Sequence, residues 1–171
     1  MIEVFVFISV PLIAWIIIIY NLMVRDKIRV QSAWSDINIQ LKRRHDLIPK
    51  LIDTVKQYTD FESASLTTIT ELRTQYQSHD HIKKISDAEV ALDSELQQLL
   101  LLIESYPDLK ASQSFINLQH EMKDIEAYIE NARRHYNMTV RNFNIRIATF
   151  PDVLIARFFR FIPANYFQAE P

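Results

Sequence analysis

No glycine occurs anywhere in the 171 residues, where average usage would supply about 12. Glycine lets a backbone turn at positive φ or lie close against a phosphate. A P-loop, a dinucleotide fingerprint and a G-x-S-x-G elbow all depend on it, so those chemistries are excluded at once. Cysteine is absent too, which removes disulfides, thiolate metal sites, cysteine nucleophiles and lipobox anchors. With 49% hydrophobic and 23% charged residues the chain can bury a core, and its length suits one domain and a tail. A net charge of −2 offers no global basic surface, so no nucleic-acid partner is expected. These exclusions leave a helical protein with no common cofactor loop, and no cofactor is expected.

Val4 to Val24 is a run of 21 residues without a formal charge. As a helix it spans about 31 Å, close to the thickness of a bilayer's hydrocarbon core. Pro11 inside it is tolerable in a membrane helix, and Tyr20 is well placed for an interface. A cleaved signal peptide wants a basic start, a shorter apolar stretch and small residues at a cleavage site. None is clear here, so the expectation is a retained transmembrane anchor over residues 1–24. Arg25, Lys27 and Arg29 follow the run directly, with Lys42, Arg43 and Arg44 beyond. By the positive-inside rule the N-terminus lies outside and the rest in the cytoplasm, a single-pass topology.

Beyond residue 25 the apolar spacing is helical. Val30, Trp34, Ile37, Leu41, Ile48, Ile52 and Val55 form a heptad-like stripe. It crosses Pro49, which predicts a kink or a restart there, with Asp46 as its cap. A further half continues through Tyr58, Leu66, Ile69 and Tyr76. Residues 77–85 are mostly polar and read as a loop. Ser86 then opens S-D-A-E, a capping box with Glu89 at its third helical position. Ile85, Ala88, Leu92, Leu96, Leu99 and Ile103 make the inner face of that helix, which ends at Tyr106-Pro107. The longest helix runs from about Ser112 to Phe150, with a stutter at Tyr136. The spacing thus predicts an all-α fold: an N-terminal transmembrane helix, then an antiparallel four-helix bundle of long helices over 25–150, then an apolar segment over 151–171.

The chain resembles the LemA family of bacterial single-span membrane proteins. One block of the resemblance is Tyr20-Asn21 leading to Arg25, Ala33-Trp34-Ser35, Gln40-Leu41-Lys42-Arg43-Arg44 and Asp46-Leu47-Ile48-Pro49. A second is Tyr106-Pro107-Asp108-Leu109-Lys110-Ala111, then Ala132-Arg133-Arg134, Tyr136-Asn137, Val140-Arg141, Asn144 and Phe150-Pro151. Pro163-Ala164 and Tyr166-Phe167 fit the closing motif. The similarity covers residues 20–169. Members often carry glycine around the closing helix, where this chain has Asp152, Arg157 and Arg160. Lys50 and Asn142-Phe143-Asn144 also depart from the usual pattern. The resemblance implies a membrane-anchored four-helix bundle and no settled catalytic activity. It also brings a context of magnetosome membranes, membrane proteases and cell-envelope functions.

Catalysis and metal binding each require particular residue patterns. A di-iron bundle needs Glu-x-x-His pairs, because residues three apart face one metal cluster. No glutamate has histidine three residues on, and no H-E-x-x-H is present. His79-Asp80-His81 has ligand chemistry but reads as a solvated turn. His120 with Asp124 is too few ligands, and His45 and His135 read as surface or bundle-end residues. No catalytic and no metal residue is assigned.

Two groups carry weight instead. Residues 25–44 hold six basic and two acidic side chains. Their near half, Arg25, Lys27 and Arg29, suits anionic headgroups. Gln40, Arg43, Arg44 and Asp46 suit a structural polar layer with Asn137, Arg141 and Asn144, which can fix bundle register. The tail, with Leu154, Ile155, Phe158, Phe159 and Phe161, is too apolar to float free. It either folds over the bundle or touches another subunit or the membrane interface. The function expected is a non-enzymatic membrane scaffold acting through a homo-oligomer or a protein partner. The alternatives are an adaptor or regulator of a membrane protease, and, remotely, an enzyme with an unrecognised polar site.

Overall fold

The computed structural model describes residues 2–57, 67–71 and 82–167. Helix α1 spans Ile2–Lys56, α2 Ile82–Ile103, α3 Pro107–Lys110, α4 Gln113–Ala148 and α5 Asp152–Phe158. A further helical stretch covers 67–71, and no strand occurs among the described residues. Two compact units divide the chain: residues 1–35 with 134–166, and residues 36–133 with 167–171. Helices α1 and α4 each contribute to both.

In the second unit the core is a cluster of apolar side chains at helical spacing. Ile48, Leu51 and Val55 of α1 meet Leu92, Leu96, Leu99 and Ile103 of α2, Leu109 of α3 and Phe115 of α4. Ile69, from the short stretch at 67–71, is buried with them. Each such side chain contributes about 1.5–3 kcal/mol when taken fully from water. Helix α3 begins with Pro107 at its first position, where a missing N–H costs nothing, and it buries Leu109. In the first unit α4 presents Tyr136, Val140, Phe143 and Ile147 to the interior, and α1 presents Met23, Val30 and Ala33. Helix α4 passes unbroken through the expected stutter. Its buried face ends at Ile147, because Phe150 beyond it is exposed.

Two local expectations are corrected. Helix α1 continues without interruption through Pro49. Asp46 is an exposed residue in mid-helix and caps nothing. Proline deletes one backbone hydrogen bond and crowds the carbonyl four residues back, at about 3 kcal/mol. The fully buried Ile48 and Leu51 on either side offset that cost only if the helix continues. The S-D-A-E box, likewise, is not a helix start. Helix α2 begins at Ile82, so Ser86 and Glu89 lie inside it, and both are buried. Of the expected loop, 82–85 is helical, and 77–81 lies outside the described residues. So do Tyr58, Leu66 and Tyr76 of the expected intermediate helix, and His79-Asp80-His81.

Candidate functional site

Each unit holds one cluster built from polar groups. In the second unit the centre is Arg44. On the α1 stripe, Leu41 and Ile48 are seven residues apart, and Arg44 fills the seat between them. Its side chain is 2% exposed. A cation so buried survives only if its charge and its donors are matched. Glu89 and Asp93 of α2 and Glu126 of α4 match the charge and both terminal nitrogens, while the buried Nε has no hydrogen-bond partner among the described residues. Arg44 donates to a carboxylate oxygen of each, with the Glu126 contact at 2.9 Å. Glu89 lies beside Ala88 of the α2 stripe, four residues after Ile85 and three before Leu92, and is buried where Ala88 is half-buried. Its second oxygen lies 2.7 Å from Nε2 of the buried His45. Arg133 of α4 adds a 3.6 Å ion pair to Asp93 and stacks over the ring of Phe167. Arg44 therefore links three helices by one fork of charge-assisted bonds.

A cavity of about 260 Å³ adjoins this cluster, floored by Leu51, Leu96, Phe115 and Met122. The described residues that line it include no hydroxyl, thiol or imidazole side chain. The His45–Glu89 pair has the composition of a general base, but both side chains are almost wholly buried. The geometry suits fixing helix register better than reaching a substrate.

The first unit gathers the tail onto two helices. Asn144 of α4 makes two 2.9 Å bonds to the backbone of Ala164: its amide donates to the carbonyl, and its oxygen accepts from the N–H. Tyr136 is fully buried and donates its hydroxyl to the carbonyl of Asn165 at 2.8 Å, with Trp34 packed 5.7 Å from its ring. Burial raises the Tyr136 phenol above its ordinary pKa of 10.0. Phe159 and Phe161 lie 4.7 and 5.9 Å from the ring of Tyr20, and Phe143 lies 6.4 Å from Phe161. Arg146 of α4 bonds the buried Asp26 of α1 at 2.7 Å and reaches Asp152 of α5 at 3.9 Å.

Helix α5 ends in a Schellman motif. The N–H of Phe161 bonds the carbonyl of Ala156, and that of Arg160 the carbonyl of Arg157. Arg160 adopts the left-handed conformation the motif demands, with φ of 56°.

The expected polar layer is thus distributed. Arg44 is buried, Gln40 is half-buried, and Arg43 and Asp46 are exposed, all in the second unit. Asn137, half-buried, Arg141, exposed, and Asn144 belong to the first. Of the carboxylates that hold Arg44, Glu89 was singled out from sequence only as a capping-box residue, and Asp93 and Glu126 were given no role; His45, read as a surface or bundle-end residue, is instead buried against Glu89. Arg25, Lys27 and Arg29 are exposed, and Arg29 pairs with Asp26 at 3.1 Å. Of the tail residues Ile155 is buried and Phe161 partly so, whereas Leu154, Phe158 and Phe159 are exposed. His120, Asp124 and His135 are exposed as well.

Comparison with known proteins places these features in a lineage. The family model "LemA family" matches residues 33–171. A Protein LemA of Metamycoplasma hominis is 33% identical, over 88% of this chain and 69% of its own length. Magnetosome protein MamQ 2 of Paramagnetospirillum magneticum is 21% identical, over 95% of this chain and 69% of its own.

Proposed function

The chain belongs to the LemA family, and from that premise we propose that it is a non-enzymatic helical scaffold of the bacterial cytoplasmic membrane. It acts by self-assembly or by holding a protein partner. In this proposal the N-terminus is outside, residues 1–24 cross the bilayer once, and an antiparallel four-helix bundle faces the cytoplasm. The observation that carries it is the surface of α1 before Tyr20. Phe7, Val10, Leu12, Ile13, Ile17 and Ile18 are all more than half exposed. So large an apolar surface on a single helix is stable only against lipid or another protein. The helix is long and apolar enough to cross a membrane by length and composition. The kinship with magnetosome proteins supports a membrane setting.

An anchor concentrates copies in two dimensions, so modest lateral contacts suffice for assembly. The experiment is the mass of the full-length chain extracted in mild detergent, by native mass spectrometry or light scattering. A defined multimer is the expected result. A lone monomer would overturn self-assembly and leave partner binding, where a co-purifying membrane protease or other client would be sought.

A further inference from the structure

The tail after α4 is anchored at one face and apolar on the other. Its inner face is accounted for by Tyr20, Phe143, Asn144 and Tyr136. Its outer face is not: Phe150 is 75% exposed, Leu154 57%, Phe158 80% and Ile162 79%. Leu154 and Phe158 are one turn apart on α5, so they project from the same side of that helix.

Depth, charge and the position of the cations point to what covers this face. The rings of Phe159 and Phe161 lie against Tyr20, which sits inside the uncharged run, four residues before its end at Val24. Four residues of helix are about 6 Å. The tail therefore reaches below the level of Arg25, into the zone where an interfacial helix buries its apolar face by about 5–10 Å. Ile19 and Met23, in the same run, are already buried by protein, so protein and not lipid alone surrounds the anchor at this level. The second is charge. Residues 1–35 and 134–166 carry eight Arg and Lys against three Asp and Glu, a net of +5 in a chain whose total is −2. The third is the position of the cations. Arg157 and Arg160 flank Phe158, and both are exposed, as are Arg25 and Lys27 at the start of the charged part of α1. The acidic Asp26 is bonded to Arg29 and Arg146, so it does not offset these cations at the surface.

We propose that residues 150–162 form an interfacial membrane element. Phe150, Leu154, Phe158 and Ile162 face acyl chains, and Arg157 and Arg160 take anionic phospholipid headgroups. The proposal rests on residues 1–24 crossing the bilayer, and it adds a second, peripheral hold beside the spanning one. Covering this face with lipid removes an apolar surface from water, and the basic side chains gain from the anionic leaflet.

The absence of native cysteine permits a direct test in the full-length protein. Single nitroxide labels are placed at Phe158→Cys and Ile162→Cys, at Ile17→Cys within the anchor, and at the exposed Tyr128→Cys on α4. The protein is reconstituted into vesicles of phosphatidylethanolamine and phosphatidylglycerol, and collisions with oxygen and with a water-soluble nickel complex are measured. Labels at 158 and 162 should favour oxygen several-fold over nickel, at a shallower depth than 17, with 128 fully open to nickel. Replacing phosphatidylglycerol by phosphatidylcholine should make the 158 label shallower. If 17 is in lipid and 158 and 162 match 128, the tail is aqueous and the inference is overturned while the anchor stands. If 158 and 162 are closed to both reagents, protein covers the face, which also overturns it. A water-like label at 17 removes the anchor itself, and with it the basis for this proposal.

Discussion

Arg44 occupies the seat that the α1 apolar stripe skips between Leu41 and Ile48, and there it is bonded to Glu89, which is buried on α2 beside the stripe residue Ala88. A charge at a core seat is costly alone and tolerable in company. The two helices therefore align in one register, the one that brings Arg44 and Glu89 together. Asp93, Glu126 and His45 complete the arrangement.

Removing Arg44 should cost more than removing any one carboxylate. Arg44→Met leaves Glu89, Asp93 and Glu126 crowded without their common cation, at about 3–5 kcal/mol. Glu126→Gln, at a side chain 48% exposed, should cost under about 1 kcal/mol. Combining Arg44→Met with Glu89→Leu should recover much of the loss, since the buried charge then goes with its partner. Urea denaturation of the detergent-solubilised protein measures all of these. Equal losses from Arg44→Met and Glu126→Gln would show that Arg44 is not the hub.

The clamp at Asn144 gives a local effect. Asn144→Ala deletes both bonds to Ala164, each worth about 0.5–1.5 kcal/mol net. Hydrogen exchange at the Ala164 amide should accelerate, together with that of its neighbours in the tail. Amides of α2 should keep their protection. An Ala164 amide that exchanges at the original rate would contradict the clamp.

Alkaline stability should report on Tyr136. Its folded pKa is raised by burial above 10.0. Below pH 10 the phenol is protonated in both the folded and the unfolded chain, so its contribution is complete and independent of pH. Above that, the unfolded phenol ionises first, and stability falls as pH rises through the folded value. Tyr136→Phe should lose about 1 kcal/mol near neutrality, because Asn165 loses its donor. The variant should then show a shallower decline above pH 10. Parallel curves for the two proteins in that range would disprove the assignment.

What the sequence conveyed depended on periodicity. The long helix expected from Ser112 to Phe150 and the end of α2 near Tyr106-Pro107 follow from spacing and proline chemistry, and the structure has both, except that α4 stops at Ala148 and Phe150 beyond it is exposed. The S-D-A-E box misled because its four residues have the same local chemistry at a helix start and inside a helix. Only the helical turn at 82–85 separates the two cases. A signal for Arg44 was present in the skip between Leu41 and Ile48, whereas Glu89 gave none, because Ala88 completes the apolar spacing between Ile85 and Leu92. Asn144 was recognisable as a polar residue with a task. Its partner, the backbone of Ala164, lies in a segment with no repeat, where spacing carries no information about contact.

The Schellman end of α5 makes the most specific prediction of sequence against conformation. Three positions around the closing helix depart from the family's frequent glycine, at Asp152, Arg157 and Arg160. Of these only Arg160 has a positive φ. A residue with a Cβ pays about 1–2 kcal/mol in that conformation, whereas glycine there loses some of the gain to the entropy of the unfolded chain. Arg160→Gly should therefore stabilise the folded tail by up to about 1 kcal/mol. Arg160→Ala removes the same charge but keeps the Cβ, so it should bring no such gain. Arg160→Val should destabilise, because a branched Cβ fits the left-handed region worst. Comparing the three by urea denaturation, at one pH and one salt concentration, separates backbone from charge. Equal stability of the glycine and alanine variants would mean that the motif's geometry does not limit the tail.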